Sequence, residues 1–193
     1  TSIARLSSGK RITRAHADAA GSAIAGRMES QIRGLTMGIR HAKDGQSLVD
    51  TQEGALQEVE GILQRMRELA VQSASGVAST ADRDYLDLEM EALVSEIIAI
   101  ENNTKFNDTA ILGGTQFSFY TDIDVNGTAV QTVNADISVT SLGSGTKGLS
   151  TVQVHIGSST GQASIASVIS RVDSAIQSIA GMRANLGAVS NRF

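Results

Sequence analysis

Residues 28–74 read MESQIRGLTMGIRHAKDGQSLVDTQEGALQEVEGILQRMRELAVQSA, and this stretch decides the fold. Apolar or small side chains recur every seven positions, at Met28, Leu35, Ala42, Val49, Leu56, Leu63 and Ala70. Ile32 and Ile39 fall three residues before two of these, and Val59 and Met66 three residues after two others. The stripe therefore passes from one flank to the other near Glu53. A straight helix drifts by roughly 20° per heptad against a seven-residue repeat, so one long helix produces such a shift. The pattern predicts a helix, or two nearly collinear ones, over 15–74, about 60 residues and roughly 90 Å long. Seven glycines lie inside it: Gly21, Gly26, Gly34, Gly38, Gly45, Gly54 and Gly61. Each costs about 1 kcal/mol against Ala in a helix interior. Close packing of helices or subunits against these small residues is the expected compensation.

Outward from this helix, Ser75, Gly76 and Ser79 read as a loop. Ser79 or Thr80 suits an N-cap, and Asp82 and Asp84 suit the positive end of a following helix. Its stripe is Leu86, Met90, Leu93, Ile97 and Ile100, and Asn102 and Asn103 end it. From 105 to 162 Gly, Thr, Ser and Asp become frequent and the period falls to two. Phe117, Phe119, Thr121, Ile123 and Val125 alternate with polar residues, and Asn126-Gly127 is a strong hairpin signal. Val130, Val133, Ile137 and Val139 suit return strands, and Val152, Val154 and Ile156 alternate. The last segment is helical again, with Ile165, Val172, Ile179, Leu186 and Phe193 seven apart. The expected fold is mainly α with a small β insertion: an elongated rod of three long helices plus a β-hairpin region. The expected parts are a helical core over 1–113, a short hairpin and loop insertion over 114–161, and a helix over 162–193 that completes the core.

Composition narrows the function. Only 3% of the chain is aromatic, so its core is built from aliphatic side chains, Met and Ala. Cysteine is absent, which excludes disulfides, thiol catalysis and thiolate-bound metals. Proline is absent too, so no rigid breaker interrupts a helix. No apolar run is long enough to span a membrane, and no signal-peptide pattern opens the chain. The net charge of −4 hides a strong asymmetry: +6 over 1–43, −10 over 44–101 and zero beyond. Solvated helix faces explain it, as does staggered packing of copies of one molecule. Nucleic acid fits poorly, because the basic residues carry no interleaved aromatics and the whole chain is acidic.

Nothing in the sequence assembles a nucleophile, a base and an oxyanion donor, so an enzyme is not expected. His16, His41 and His155 share no metal-ligand spacing and read as isolated polar residues; no metal site and no cofactor are expected. Gly143-Ser-Gly145-Thr-Lys-Gly148 matches a dinucleotide fingerprint by letters alone, without the strand and helix that would flank one. The pairs Asp82/Asp84, Asp87/Glu91 and Glu89/Glu96 read as a solvated helix face. A different patch stands out in 63–72. Arg65 and Leu69, four apart, share a face beside the core stripe. An Arg with an exposed Leu suits the centre of a protein interface; a surface Arg beside a half-buried Leu is the plainer reading.

These segments together resemble bacterial flagellin. Ile3-Ala-Arg-Leu-Ser-Ser-Gly-Lys-Arg-Ile12, Asp18-Ala-Ala-Gly21, Ala42-Lys-Asp-Gly-Gln-Ser47, Thr51-Gln-Glu-Gly-Ala-Leu56 and the block Leu63 to Ala74 are similar to its N-terminal core. Thr104-Lys-Phe-Asn107 resembles the turn after the second helix, and Leu186-Gly-Ala-Val-Ser-Asn-Arg-Phe193 the C-terminal core helix. The resemblance covers 1–113 and 163–193. It implies a secreted, extracellular filament subunit that polymerises with other flagellin subunits into the helical propeller. It implies further partners: filament cap and junction proteins, an export chaperone that engages terminal segments beyond this chain, and the Toll-like flagellin receptor of animals. No nucleic acid and no membrane partner is implied. Flagellins continue past both ends of this chain through paired terminal helices, so this chain alone is not expected to build a stable filament. By motif, receptor contact falls on Arg65, Leu69 and Glu89, with Gln64, Glu68 and Gln72 around them, and Arg67 and Val71 also matching. A hook–filament junction protein of similar fold and a flagellin-like surface protein that binds glycans are the alternatives.

Overall fold

The computed structural model describes residues 6–7, 9, 18–120, 130–133, 154–157 and 162–193. Three helices dominate them: α1 (Ala19–Ser73), α2 (Thr80–Asn103) and α3 (Gln162–Ser190). Short strands β1 (Lys105–Phe106), β2 (Thr109–Ala110), β3 (Phe117–Tyr120) and β4 (Val130–Val133) form two two-stranded sheets, β1–β2 and β3–β4. The chain divides into two compact units. One is Thr1–Asp44 with Phe119–Gln131, the other Gly45–Ser118 with Thr132–Phe193.

The first long segment is one helix of 55 residues, not two. The expected start at residue 15 lies outside the described residues. Asp18 caps the observed start: its Oδ1 accepts from the Gly21 N–H at 2.8 Å, and its carbonyl from the Ser22 N–H at 3.0 Å. Such caps satisfy backbone donors that the first turn otherwise leaves unpaired. At the other end the Ser75 N–H turns back to the Gln72 carbonyl at 3.1 Å, tightening the last turn.

Within the second unit α1 buries a regular seam: Val49, Gln52, Leu56, Val59, Leu63, Met66, Ala70 and Ser73. Steps of three and four residues are those of a heptad seam facing neighbouring helices. Met90, Val94 and Ile97 of α2 and Ile165, Val168, Val172, Ala175, Ile179 and Leu186 of α3 complete the core. Helix α3 runs antiparallel to α1. Gly45 faces Phe193, Arg183 pairs with Glu53 and Glu60, and Arg67 meets Asp173 at 2.6 Å. The α2 start is a capping box. The Asp82 N–H donates to the Ser79 hydroxyl, and the Ser79 N–H donates to the Asp82 carboxylate.

The seam's two polar members each hold a non-helical segment. Gln52 Nε2 donates to the Ile111 carbonyl at 2.7 Å, and Ser73 Oγ to the Ile156 carbonyl at 2.7 Å. Ile111, Leu112, Val154 and Ile156 are buried as a result. Between α2 and Ile111, β1 and β2 form an antiparallel hairpin, Lys105 opposite Ala110 and Phe106 opposite Thr109. Its two turn residues, Asn107 (φ 49°) and Asp108 (φ 64°), both adopt positive φ, the type I′ geometry that suits strand twist. Strands β3 and β4 match the start of the expected hairpin and its first return strand. The Asn126-Gly127 turn, Ile137 and Val139 lie outside the described residues.

Candidate functional site

Two surfaces of α1 differ in kind. In the first unit α1 leaves its apolar residues uncovered: Ile24, Met28, Ile32, Leu35 and Ile39 are 45, 57, 63, 48 and 61% exposed. They recur at steps of four, four, three and four, so they form one stripe along the helix. The sequence pattern assigned Met28 and Leu35 to the same core stripe as Leu56 and Leu63. The structure buries only the second part of that stripe.

In the second unit, the patch around Arg65 is polar and organised by charge. Arg65 lies between α1 and α2, its Nη2 2.7 Å from Glu89 Oε1 and its Nη1 3.2 Å from Glu68 Oε2. The Arg65 Nε also donates to Glu89 Oε1 at 2.9 Å. Those hydrogen bonds, Glu89 first and Glu68 second, push the guanidinium pKa up, so Arg65 is a fixed cation. Gln64, Arg67, Glu68, Val71 and Gln72 are exposed around it. Leu69 departs from the reading of an exposed anchor beside Arg65. It is fully buried, because α1 is flanked here by α2 on one side and α3 on the other. The surface is therefore a ring of polar groups over Leu69 rather than an Arg–Leu pair.

A third cluster corrects the sequence reading of isolated histidines and a solvated acidic face. His155 Nδ1 lies 2.9 Å from Asp87 Oδ2 and 3.6 Å from Glu91 Oε1. These two acids and the histidine come from segments 68 residues apart, which no local spacing reveals. The letter match Gly143–Gly148 and His16 lie outside the described residues. No described helix is long and apolar enough to cross a membrane.

Long helices with an uncovered apolar stripe, and a surface organised by ion pairs, fit a structural protein that packs against other chains. The comparisons agree. Residues 1–117 match the family described as the bacterial flagellin N-terminal helical region. A flagellin of Halalkalibacterium halodurans is 38% identical over 189 residues, covering 98% of this chain and 67% of its own length. The flagellar filament 30.7 kDa core protein of Treponema maltophilum is 37% identical, covering 99% of this chain and 69% of its own. The crystal structure of Bacillus cereus flagellin superposes with a TM-score of 0.65 at 31% identity, covering 79% of this chain and 84% of that one. The chain belongs to the bacterial flagellin family. It is a structural subunit of the flagellar filament, which lies outside the cell, and not an enzyme.

Proposed function

We propose that this chain polymerises through the uncovered stripe of α1, and that the Arg65 patch is a recognition surface for the Toll-like flagellin receptor of animals. The observation that carries the first part is the stripe Ile24, Met28, Ile32, Leu35 and Ile39. A row of large apolar side chains in water is a standing free-energy cost that burial against another chain removes. The +6 and −10 segments favour staggered copies that set basic against acidic stretches. Filament cap and junction proteins and an export chaperone are its further partners, and it is secreted through the flagellar export channel.

The test of assembly is negative-stain electron microscopy of a reaction seeded with sonicated filament. This chain is compared with a version extended at both ends by the terminal segments of the Halalkalibacterium flagellin. Long filaments from the extended version, and none once it carries Ile32→Asp, support the stripe as a contact. Unaltered growth of the Ile32→Asp version overturns that assignment.

The receptor reading rests on the family resemblance and on the exposed, charge-fixed Arg65–Glu89 pair. Arg is a frequent anchor of protein interfaces. Replacing Arg65 and Glu89 together by Ala lowers affinity for the receptor ectodomain by at least about tenfold, read by surface plasmon resonance. Unchanged affinity removes the patch from the interface.

A further inference from the structure

We propose that Asp87, Glu91 and His155 form a binding site for a divalent transition-metal ion of the zinc class. Asp87 and Glu91 are one turn apart on α2, so their carboxylates share a face. His155 stands between Val154 and Ile156, both buried, and the Ile156 carbonyl accepts from the buried Ser73 hydroxyl. The Ile156 N–H in turn donates to Asp87 Oδ1 at 2.7 Å. One carboxylate oxygen of Asp87 is thereby held by backbone, and the other, Oδ2, is turned toward His155. The arrangement is built before any ion arrives, which lowers the ordering cost of binding.

The distances suit a small ion. Donor atoms of the three residues lie within 4.8 Å of one another. Donors about 2.0–2.1 Å from a tetrahedral zinc ion stand about 3.3 Å apart. The observed separations from His155 Nδ1, 2.9 and 3.6 Å, bracket that value. The ion enters between Nδ1 and the two oxygens. The imidazole binds it as the neutral tautomer with its hydrogen on Nε2, and any proton on Nδ1 leaves to solvent. His155 and Glu91 are 38 and 46% exposed at their side chains, so the ion has an entry path and a water takes the fourth position. One imidazole nitrogen with two carboxylates favours zinc-like ions over calcium or magnesium, which take oxygen donors alone. Asp84 adds negative charge at the rim: its Oδ1 lies 3.2 Å from where a Cβ on Gly157 would stand. The bound ion fastens the 154–157 segment to α2, adding to the Ile156 N–H bond to Asp87 there and to the Ser73 hydrogen bond from α1.

The test uses the whole chain, purified without a polyhistidine tag and treated with chelator. Zinc binding is measured by equilibrium dialysis and calorimetry, with Co2+ absorption as a report of tetrahedral coordination. The expected result is one ion per chain, a rise in unfolding temperature with zinc, and weakening of at least about tenfold in both Glu91→Gln and His155→Gln. His41→Gln binds as the parent does. Circular dichroism without metal checks that the variants fold, and the exposed Glu91→Gln decides the matter if His155→Gln does not. Absence of saturable binding by the parent, or binding that survives Glu91→Gln unchanged, overturns the site. Filament assembly plays no part in either readout.

Discussion

Gly45 of α1 lies against the ring of Phe193: a Cβ at position 45 would come 2.6 Å from Cζ and 2.9 Å from Cε1. No real Cβ makes such contacts, so an Ala here forces the Phe193 ring away. Gly54 and Gly61 on the same helix have nothing within 4 Å of the equivalent position. The three glycines therefore separate two explanations for glycine in a long helix. Helix propensity alone makes Gly→Ala stabilising by up to about 1 kcal/mol. Gly54→Ala and Gly61→Ala are expected to raise the thermal midpoint of the isolated chain. Gly45→Ala is expected to gain nothing or to lower it. The double variant Gly45→Ala with Phe193→Ala, measured against Phe193→Ala alone, recovers the propensity gain. A Gly45→Ala gain as large as that at Gly54 removes the steric account.

Gln52 and Ser73 are the polar members of an otherwise apolar seam, and both are fully buried. Each donates to a backbone carbonyl that lies far away in sequence. Apolar replacement leaves that carbonyl buried without a partner, which costs about 1–3 kcal/mol. Gln52→Leu is expected to destabilise by this amount in denaturant unfolding although Leu is the better seam residue. Ser73→Ala is expected to do the same and also to speed amide exchange at Ile156. Among the described residues, the Gln52 Oε1 atom has no hydrogen-bond partner. Its own desolvation already opposes folding, so the Gln52→Leu loss falls below that of a fully paired amide.

Most of the fold was legible because it rests on periodicity. The seam from Val49 to Ser73 repeats in threes and fours, and the Ser79 cap stands just before an acidic first turn. What escaped the sequence has a physical reason in each case. Met28 and Leu35 share the heptad of Leu56, yet periodicity gives the direction of a face and not what covers it. Leu69 is buried because α1 has neighbours on two sides near Arg65 and Arg67, whereas a single stripe assumes one. The β1–β2 hairpin turns at Asn107-Asp108, a pair that reaches positive φ without the glycine that usually marks it. The His155 cluster forms only when a segment near the end of the 114–161 stretch returns to α2.

The α2 cap predicts a pH dependence. Asp82 is held below its ordinary value of 3.8, first by the Ser79 hydroxyl and then by the Ser79 backbone N–H. A carboxylate depressed in the folded state contributes stability that is present above its unfolded pKa and lost as pH falls through the folded one. Asp82→Asn is therefore expected to unfold at lower temperature than the parent at pH 7, with the gap closing below about pH 4. Ser79→Ala removes the cap itself and is expected to cost about 1 kcal/mol at neutral pH. Parallel thermal melts of parent and both variants from pH 3 to pH 8 check the pattern; a gap that widens in acid contradicts it.

Arg183 bridges two acids of α1, Glu53 and Glu60, at positions that face α3. Hydrogen bonds to Glu53 and then Glu60 push its pKa up, so the bridge persists at any pH where those acids are ionised. The pair spans seven residues of α1, one heptad, and so fixes the register between the two helices rather than only joining them. Charge alone does not reproduce that role. A guanidinium presents several donors in a plane and reaches both carboxylates at once, whereas an ammonium is a single point charge. Arg183→Lys is therefore expected to lower the thermal midpoint nearly as far as Arg183→Gln. The side chains are partly solvated, so the loss is modest, and it is expected to shrink in 1 M salt through screening. If Arg183→Lys matches the parent, the bridge contributes charge without register. The three melts, at low and high salt, distinguish the two.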